Sequence, residues 1–498
     1  MAGVPADDLI PDLTALIKAY DVRGLVPSQL DARVSRAIGA AFGDVVVHGG
    51  ARPAAGSASR PVVVVGNDMR ESGPELVAAF AGGLAARGVD VVRIGLCSTD
   101  GLYYASGALD VPGAMFTASH NPAEYNGIKL CRAGARPVGQ DTGLAEVRDL
   151  TRTYLADGVP ELPAQERGHV SDRDVLADYA RFLRSLVDLG GIRPLKVVVD
   201  AGNGMGGHTV PAVLGTGAGL PALPLEIVPL YFELDGSFPN HEANPLEPEN
   251  LRDLQAAVVE HGADIGLAFD GDADRCFVID EHGDPVSPSA ITALVGLREV
   301  ERERAAGRDS IVIHNLITSQ VVPDLLTAAG ARAVRTRVGH SFIKAEMAAH
   351  EAVFGGEHSA HYYFRDFFFA DTGMLAAMHV LAALGGQDAP LSALADAYMP
   401  YSASGEINSR VDDVPAARAR VVQAYVTDEG AGAVEVDELD GLTVRHWDTT
   451  PRWWFNLRAS NTEPLLRLNV EAQDEDIMEK VRDDVLTLVR AGVEKESE

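Results

Sequence analysis

Five stretches hold residues whose types and spacing could do chemistry. The first is Thr117-Ala-Ser-His-Asn-Pro122, followed by Ala-Glu-Tyr-Asn-Gly-Ile-Lys129. Asn121 can cap a helix turn, Pro122 suits its first position, and Glu124 completes a capping box. On that reading Ser119 and His120 stand just before a helix N-terminus, where backbone N–H groups favour an anion. A serine so placed could carry a phosphoryl group or bind one. Ser-His-Asn could equally be capping chemistry alone. Lys129, Arg132 and Arg136 against Glu124 make this segment locally positive, which favours a phosphate site.

The second stretch is Asp270-Gly-Asp-Ala-Asp-Arg275, at the end of an apolar run. Three carboxylates two apart offer hard oxygen ligands, which suit Mg2+ or Ca2+. Arg275 stands where a calcium EF-hand needs glycine, and a strand precedes instead of a helix, so Glu281 at the twelfth position does not make it one. A solvated acidic turn is the weaker reading, because three close negative charges repel unless a cation joins them.

The third, Gly355-Gly-Glu-His-Ser-Ala-His-Tyr-Tyr-Phe364, alternates Glu357, Ser359 and His361. An extended backbone would put them on one side, as a row for sugar hydroxyls. A plain loop fits the pattern as well, and a His-rich metal site fits it less. The fourth, Arg458-Ala-Ser-Asn-Thr-Glu-Pro-Leu-Leu-Arg467, offers a guanidinium, two hydroxyls and an amide between two apolar runs. That is a phosphate cradle or ordinary turn composition. The fifth, Ile17-Lys-Ala-Tyr-Asp-Val-Arg-Gly24, taken alone reads as structural.

These loops need strands to hold them. Pro61–Gly66, Leu195–Asp200, Asp264–Asp270 and Ser310–His314 are short apolar runs, expected as strands buried on both faces, each leading into a helix-like pattern. Strands alternating with helices predict βαβ units, with ligands beyond the C-terminal strand ends. Pro- and Gly-rich breaks fall at about 157–167, near Asp284–Pro288 and near Gly385–Pro390. After the last break the pattern shifts to a smaller α+β domain. It has strands at Trp453–Arg458 and Leu465–Glu471, and a helix with Ile477, Val481, Val485 and Val489 on one face.

The chain has 498 residues, 46% hydrophobic and 23% charged, with a net charge of −30. Length alone suggests about three domains. The composition excludes a disordered chain, a coiled coil and a collagen-like repeat. So acidic a surface repels nucleic acid and anionic membrane. An anionic substrate therefore needs a local cluster of positive groups. Three scattered cysteines, Cys97, Cys131 and Cys276, argue against a disulfide framework or zinc site and for a reduced cytosol. The N-terminus is not expected to be a signal peptide, and no run approaches a membrane span.

In this order and spacing the five stretches resemble the α-D-phosphohexomutase family from Tyr20 to Arg467. Thr117–Pro122 looks like its phosphoserine loop, Asp270–Arg275 its Mg2+ loop, Gly356–His361 its sugar loop and Arg458–Thr462 its phosphate loop. Thr117 and the Glu357-x-Ser359-x-His361 form are similar to the phosphomannomutase/phosphoglucomutase branch. Bacterial relatives often carry a substrate-facing lysine just after the strand that corresponds to Ser310–His314. Leu316 stands there, so that contact is absent or supplied by another residue, Arg337 being the candidate.

The resemblance implies a four-domain α/β architecture around a central cleft. Three similar mixed α/β domains would cover 1–158, 159–284 and 285–392, and a smaller C-terminal α+β domain 393–498. It implies an isomerase, an intramolecular phosphotransferase that interconverts hexose 1-phosphate and hexose 6-phosphate. Mannose phosphates would be favoured and glucose phosphates also used, through a phosphoserine and a hexose 1,6-bisphosphate that also serves as activator.

Ser119 would carry the phosphoryl group, with one Mg2+ per chain on Ser119, Asp270, Asp272 and Asp274. Arg23 would add charge there, and His120 and Lys129 are the acid/base candidates. Tyr20, Asn126 and Arg275 would meet substrate from the first half of the chain. Arg337, Gly339, His340, Glu357, Ser359 and His361 would bind the sugar. Arg458, Ser460, Asn461 and Thr462 would hold the phosphate that is not reacting. The expected partners are small hexose phosphates, with no nucleic acid and no membrane, in a cytoplasmic monomer or weak homodimer. The competing readings are a sugar-phosphate phosphatase with an aspartyl nucleophile in the 270 loop, and a non-catalytic sugar-phosphate-binding regulator.

Overall fold

The computed structural model describes residues 10–18, 20–50, 60–427, 433–459 and 465–491. They fall into two compact units: residues 1–286, 347–354 and 359–392 form the first, and 287–346, 355–358 and 393–498 the second.

The first unit opens with β1 (Val22–Leu25), β2 (Val62–Asn67), β3 (Asp90–Leu96), β4 (Gly113–Phe116), β5 (Tyr125–Arg132), β6 (Arg136–Pro137) and β7 (Val170–Asp172). They build one sheet in the order β1-β5-β4-β2-β3-β7, with β6 on β5. β2 runs parallel to β3 and β4, whereas β5 is antiparallel to both β4 and β1. Val63, Val64 and Val65 of β2 are buried because helices cover the sheet. One of them, Gly73–Ala86, drives Phe80 edge-on against Phe116 of β4, with ring centroids 5.4 Å apart. Burying such a ring stabilises the fold by about 1.5–3 kcal/mol. The break at 157–167 leads into β7, which returns to this sheet beside β3.

A second sheet follows: β8 (Leu195–Asp200), β9 (Leu225–Leu230), β10 (Ile265–Phe269), β11 (Cys276–Ile279) and β12 (Pro285–Val286), in the order β12-β11-β10-β8-β9. β10 is parallel to β8 but antiparallel to β11, with Phe269 opposite Cys276.

In the second unit β13 (Ile311–Asn315) and β14 (Arg332–Thr336) pair in parallel. The short β15 spans Phe354–Gly356. In the first unit β16 (Tyr362–Phe364) and β17 (Ala370–Asp371) form an antiparallel pair. The second unit ends with β18 (Ser402–Arg410), β19 (Glu435–Asp437), β20 (Leu442–His446), β21 (Trp453–Ala459) and β22 (Leu465–Ala472), in the order β18-β22-β21-β20-β19. One face of this antiparallel sheet carries Phe455, Leu457, Leu468 and Val470. It packs on the helix Glu475–Arg490 through Val481, Val485 and Val489. Asp474 caps that helix by accepting from Ile477 N.

The four apolar runs are strands, as expected; the first two sheets are mixed and the C-terminal one is antiparallel. Two expected helices are absent. Residues 121–124 are a turn that enters β5, and the Asp270 loop enters β11. A capping box is worth about 1 kcal/mol, and here ladders that neighbouring strands complete outweigh it. Both chemical loops are therefore hairpin turns rather than loops that lead into helices.

Candidate active site

Ser119 lies in the turn between β4 and β5, with a left-handed backbone (φ 50°) and its N–H given to Thr117 Oγ1 at 2.8 Å. That conformation costs a non-glycine residue roughly 1–2 kcal/mol. What holds it is Arg70, which is 2% exposed. Its guanidinium donates to the carbonyls of Ser119 (3.0 Å), Asn121 (2.6 Å), Pro122 (2.7 Å) and Tyr125 (2.9 Å). Asp68, fully buried, accepts from Arg70 N at 3.0 Å and Arg70 Nε at 3.3 Å.

The Asp270 hairpin meets this turn. Ser119 Oγ donates to Asp270 Oδ2 at 2.9 Å. Arg275 Nε donates to the same oxygen at 2.9 Å, and Arg275 Nη2 donates to His120 Nδ1 at 2.6 Å. Lys129 Nζ donates to Asp272 Oδ2 at 2.7 Å and to Asp274 Oδ2 at 2.6 Å. Thr99, first residue of the helix Thr99–Leu109, adds its Oγ1 to Asp272 Oδ2 at 2.6 Å and its N–H to Asp272 O at 3.0 Å.

Burial sets the charges. It pushes Asp270 up to about 7, against the pull of Arg275. Burial also opposes ionised Asp272, but Lys129 and the Thr99 hydroxyl hold that carboxyl well below the usual range. Lys129 stays charged because Asp272 and Asp274 outweigh its own burial. Burial, then Arg275 and Arg23, push His120 down to about 2. The ring is neutral, and its Nδ1 is an acceptor for Arg275, so its proton sits on Nε2.

Asp270, Asp272 and Asp274 each offer an oxygen, and these lie within 4.8 Å of one another. Asp272 Oδ1 and Asp274 Oδ1 are buried without a hydrogen-bond partner. A hard oxygen set with orphaned acceptors fits a divalent cation.

The phosphoglucomutase/phosphomannomutase α/β/α domain I model matches residues 14–155, domain II 177–283, domain III 287–401 and the C-terminal domain 406–488. The chain belongs to the phosphoglucomutase/phosphomannomutase family. It is 40% identical over 481 residues to the phosphomannomutase of Salmonella montevideo, covering 95% of this chain and 98% of that one. It is 38% identical over 475 residues to the phosphomannomutase of Escherichia coli K12, with the same coverage. A solved phosphoglucomutase/phosphomannomutase family protein from Burkholderia thailandensis superposes with a TM-score of 0.80 at 30% identity, over 96% of this chain and 98% of that chain. The protein is thus an isomerase, a phosphohexose mutase of the four-domain architecture.

The remaining expected site residues of this mutase fall as follows. Arg23 on β1 donates to Asp21 at 2.7 Å, to Ala118 O at 3.3 Å and to the Asn121 side chain, which brings it beside the serine turn. Tyr20 is 38% exposed. Asn126, expected to face substrate, is fully buried; it donates to Ser72 Oγ at 2.8 Å and accepts from Gly127 N at 2.7 Å, so it holds the hairpin. Arg132 and Arg136 donate to the Thr142 and Ala133 carbonyls. Of the local excess only Lys129 reaches the site, and the further positive charge beside Ser119 comes from distant Arg23 and Arg275.

Ser359 and His361 are not part of an extended row. Residues 358–360 form a turn, with Ala360 at φ 63°. Ser359 Oγ is 3.0 Å from His361 Nδ1, and His361 Nε2 is 3.8 Å from Asp274 Oδ1. In the second unit Glu357 is buried and accepts from Asn315 Nδ2 at 3.2 Å and Gly339 N at 3.3 Å. His340 begins the helix His340–His350.

Arg337 is exposed, 5.8 Å from the Phe342 ring centroid. Leu316 instead lines a cavity of about 620 Å3 with Arg335 and Arg445, which are the cations beside it. Arg458 is 8% exposed and donates to Glu406 Oε2 at 3.0 Å, while its Nη1 is buried without a hydrogen-bond partner. Ser460, Asn461 and Thr462 lie outside the described residues.

Sequence reasoning missed Arg70, Asp68 and Thr99. The Cys97-Ser-Thr-Asp100 segment after the β3 run carried a capping signature that could have marked Thr99. Nothing local marks an arginine that binds carbonyls some fifty residues away.

Proposed function

We propose that the protein interconverts hexose 1-phosphates and hexose 6-phosphates through a phosphorylated Ser119 and a hexose 1,6-bisphosphate, favouring mannose phosphates and also using glucose phosphates. The observation that carries this reading is the Ser119–Asp270 contact of 2.9 Å, made inside a cluster of Arg275, Lys129 and three carboxylates. A nucleophilic hydroxyl, a proton acceptor and fixed cations are what phosphoryl transfer requires.

When Ser119 takes the phosphoryl group, its Oγ forms the new P–O bond and its proton passes to Asp270 Oδ2. The P–O bond to the sugar breaks, and the sugar oxygen takes a proton from an acid. Lys129, which is charged, is the candidate acid, and His120, whose ring is neutral, is a candidate only for taking up a proton. Arg275 and Arg23 steady the charge on the moving group. Asp270, Asp272 and Asp274, with Ser119, would hold one Mg2+, which when bound supplies charge neutralisation for the phosphoryl oxygens. Arg458, which is nearly buried and has an Nη1 with no hydrogen bond, would grip the phosphate at the other end, together with Ser460, Asn461 and Thr462. Gly339, His340, Glu357, Ser359 and His361 would read the sugar hydroxyls.

The same reading takes the domains at 1–158, 159–284, 285–392 and 393–498, and the enzyme as a cytoplasmic monomer or weak homodimer. Among the described residues no helix is long and apolar enough to cross a membrane. An aspartyl-phosphate phosphatase is disfavoured because Asp270 Oδ2 is already taken by Ser119 and Arg275.

Intact-mass analysis with peptide mapping, joined to coupled assays on mannose 1-phosphate and glucose 1-phosphate, tests the proposal. The expected result is a phosphate on Ser119, lost with most turnover in Ser119→Ala, and use of both sugars. A hydroxylamine-labile phosphate on an aspartate would reject it.

A further inference from the structure

We infer that Asp274, His361 and Asp371 form a second cation site, overlapping the three-carboxylate set and selective for borderline transition-metal ions such as Zn2+ and Co2+. An oxygen of Asp274, a ring nitrogen of His361 and an oxygen of Asp371 lie within 4.8 Å of one another. Three neighbouring pieces of backbone fix them. His361 immediately precedes β16 and bridges to Arg275, next to Asp274. Asp371 lies on β17, opposite Tyr363 of β16.

Asp274 is 1% exposed, and its Oδ1 has no hydrogen-bond partner, while its Oδ2 is held by Lys129. The free oxygen stands 3.8 Å from His361 Nε2. That gap is too long for a hydrogen bond. Two ligands of one tetrahedral ion, at bonds of about 2.0–2.2 Å, stand roughly 3.3–3.6 Å apart, so a small adjustment closes it. Outside this trio, Ser359 Oγ lies 3.0 Å from His361 Nδ1. When Nδ1–H donates to that hydroxyl, the Nε2 lone pair is left facing Asp274, the arrangement that orients most metal-binding histidines.

Chemistry sorts the two sites. Imidazole nitrogen with two carboxylates suits Zn2+ or Co2+, whereas an all-oxygen set suits Mg2+. Asp274 belongs to both sets, so the sites are alternatives. An ion on the histidine site takes Asp274 from the other set and so competes with Mg2+. Only this last consequence rests on the Mg2+ reading above.

The test uses the full chain, freed of metal by a chelator. Co2+ is titrated by calorimetry and visible absorption, and Mg2+ by calorimetry. The comparison is between wild type, His361→Gln and Ser359→Ala. His361→Gln should weaken Co2+ at least about 100-fold while Mg2+ binding stays within about threefold, which also reports that the fold is intact. Ser359→Ala, which acts only on the ring's orientation, should weaken Co2+ about tenfold. Equal Co2+ affinity in wild type and His361→Gln, or no Co2+ binding, would overturn the site. Failure of Mg2+ alone to bind wild type would strike the Mg2+ reading, and the Co2+ ratio would still judge this one.

Discussion

A Cβ at Gly271 would stand 2.5 Å from the carbonyl oxygen of Ser119, so the acidic hairpin can approach the serine turn only because residue 271 has no side chain. The 2.9 Å contact between Ser119 and Asp270 depends on that approach. Gly271→Ala must push the turns apart. Overpacking of this kind costs about 1–3 kcal/mol, and a shift near 1 Å at a reacting group costs about 100-fold in rate. The variant should therefore fold, with a lowered urea midpoint, and lose about two decades in kcat. An unchanged kcat in assays on either hexose phosphate would refute the argument.

Arg70 has four carbonyls to satisfy, and a lysine ammonium has three protons on one atom. Arg70→Lys should leave at least one buried carbonyl of the serine turn unpaired. The cost should be on the order of 3 kcal/mol in chemical unfolding. Turnover should fall at least about tenfold under conditions where the variant is folded, because the left-handed Ser119 is no longer held. A stability loss with full kcat would make Arg70 purely structural.

Lys129 is the cation that joins Asp272 and Asp274 in the protein without metal. Lys129→Met removes it and leaves buried carboxylates uncompensated, worth on the order of 3–5 kcal/mol. Added Mg2+ can replace the lost charge. Thermal unfolding should show a larger Mg2+-dependent rise in Tm for Lys129→Met than for wild type. Equal rises would mean that lysine and ion do not share these oxygens.

His314, buried in the second unit, donates Nδ1–H to Asn315 O at 3.1 Å. Burial pushes it down to about 4, partly opposed by that hydrogen bond, with Arg335 and Arg445 adding to the fall. The unfolded imidazole takes its proton near pH 6.5 and the folded one does not. Stability from this group is therefore full above about pH 6.5 and is lost as pH falls toward 4, by up to about 3 kcal/mol. Urea unfolding at pH 7.5 and pH 5 should show wild type losing more stability than His314→Gln. Parallel losses would show that His314 titrates normally.

Local chemistry made much of this protein legible in its sequence. The Val62–Val65 run could only be a strand buried on both faces. Asp270, Asp272 and Asp274, two apart after such a strand, could hardly sit together without a cation. The order of the five stretches pointed to the family that the comparisons then established. These features depend on residue type and near neighbours. Tertiary structure decided the rest. It turned the segment after His120 into a turn and a strand, because β1 and β4 supply a ladder on each side of β5 that a capping box cannot match. It bent residues 358–360 out of the extended form that would have aligned Glu357 with Ser359 and His361. It spent Arg132 and Arg136 elsewhere, and brought Arg70 and Arg275 to a serine turn, and Thr99 to the acidic hairpin, that none of them adjoins in sequence. Local preferences are worth about a kilocalorie each, while the contacts that assemble this site join residues far apart in the chain, and no local pattern encodes which distant partner will arrive.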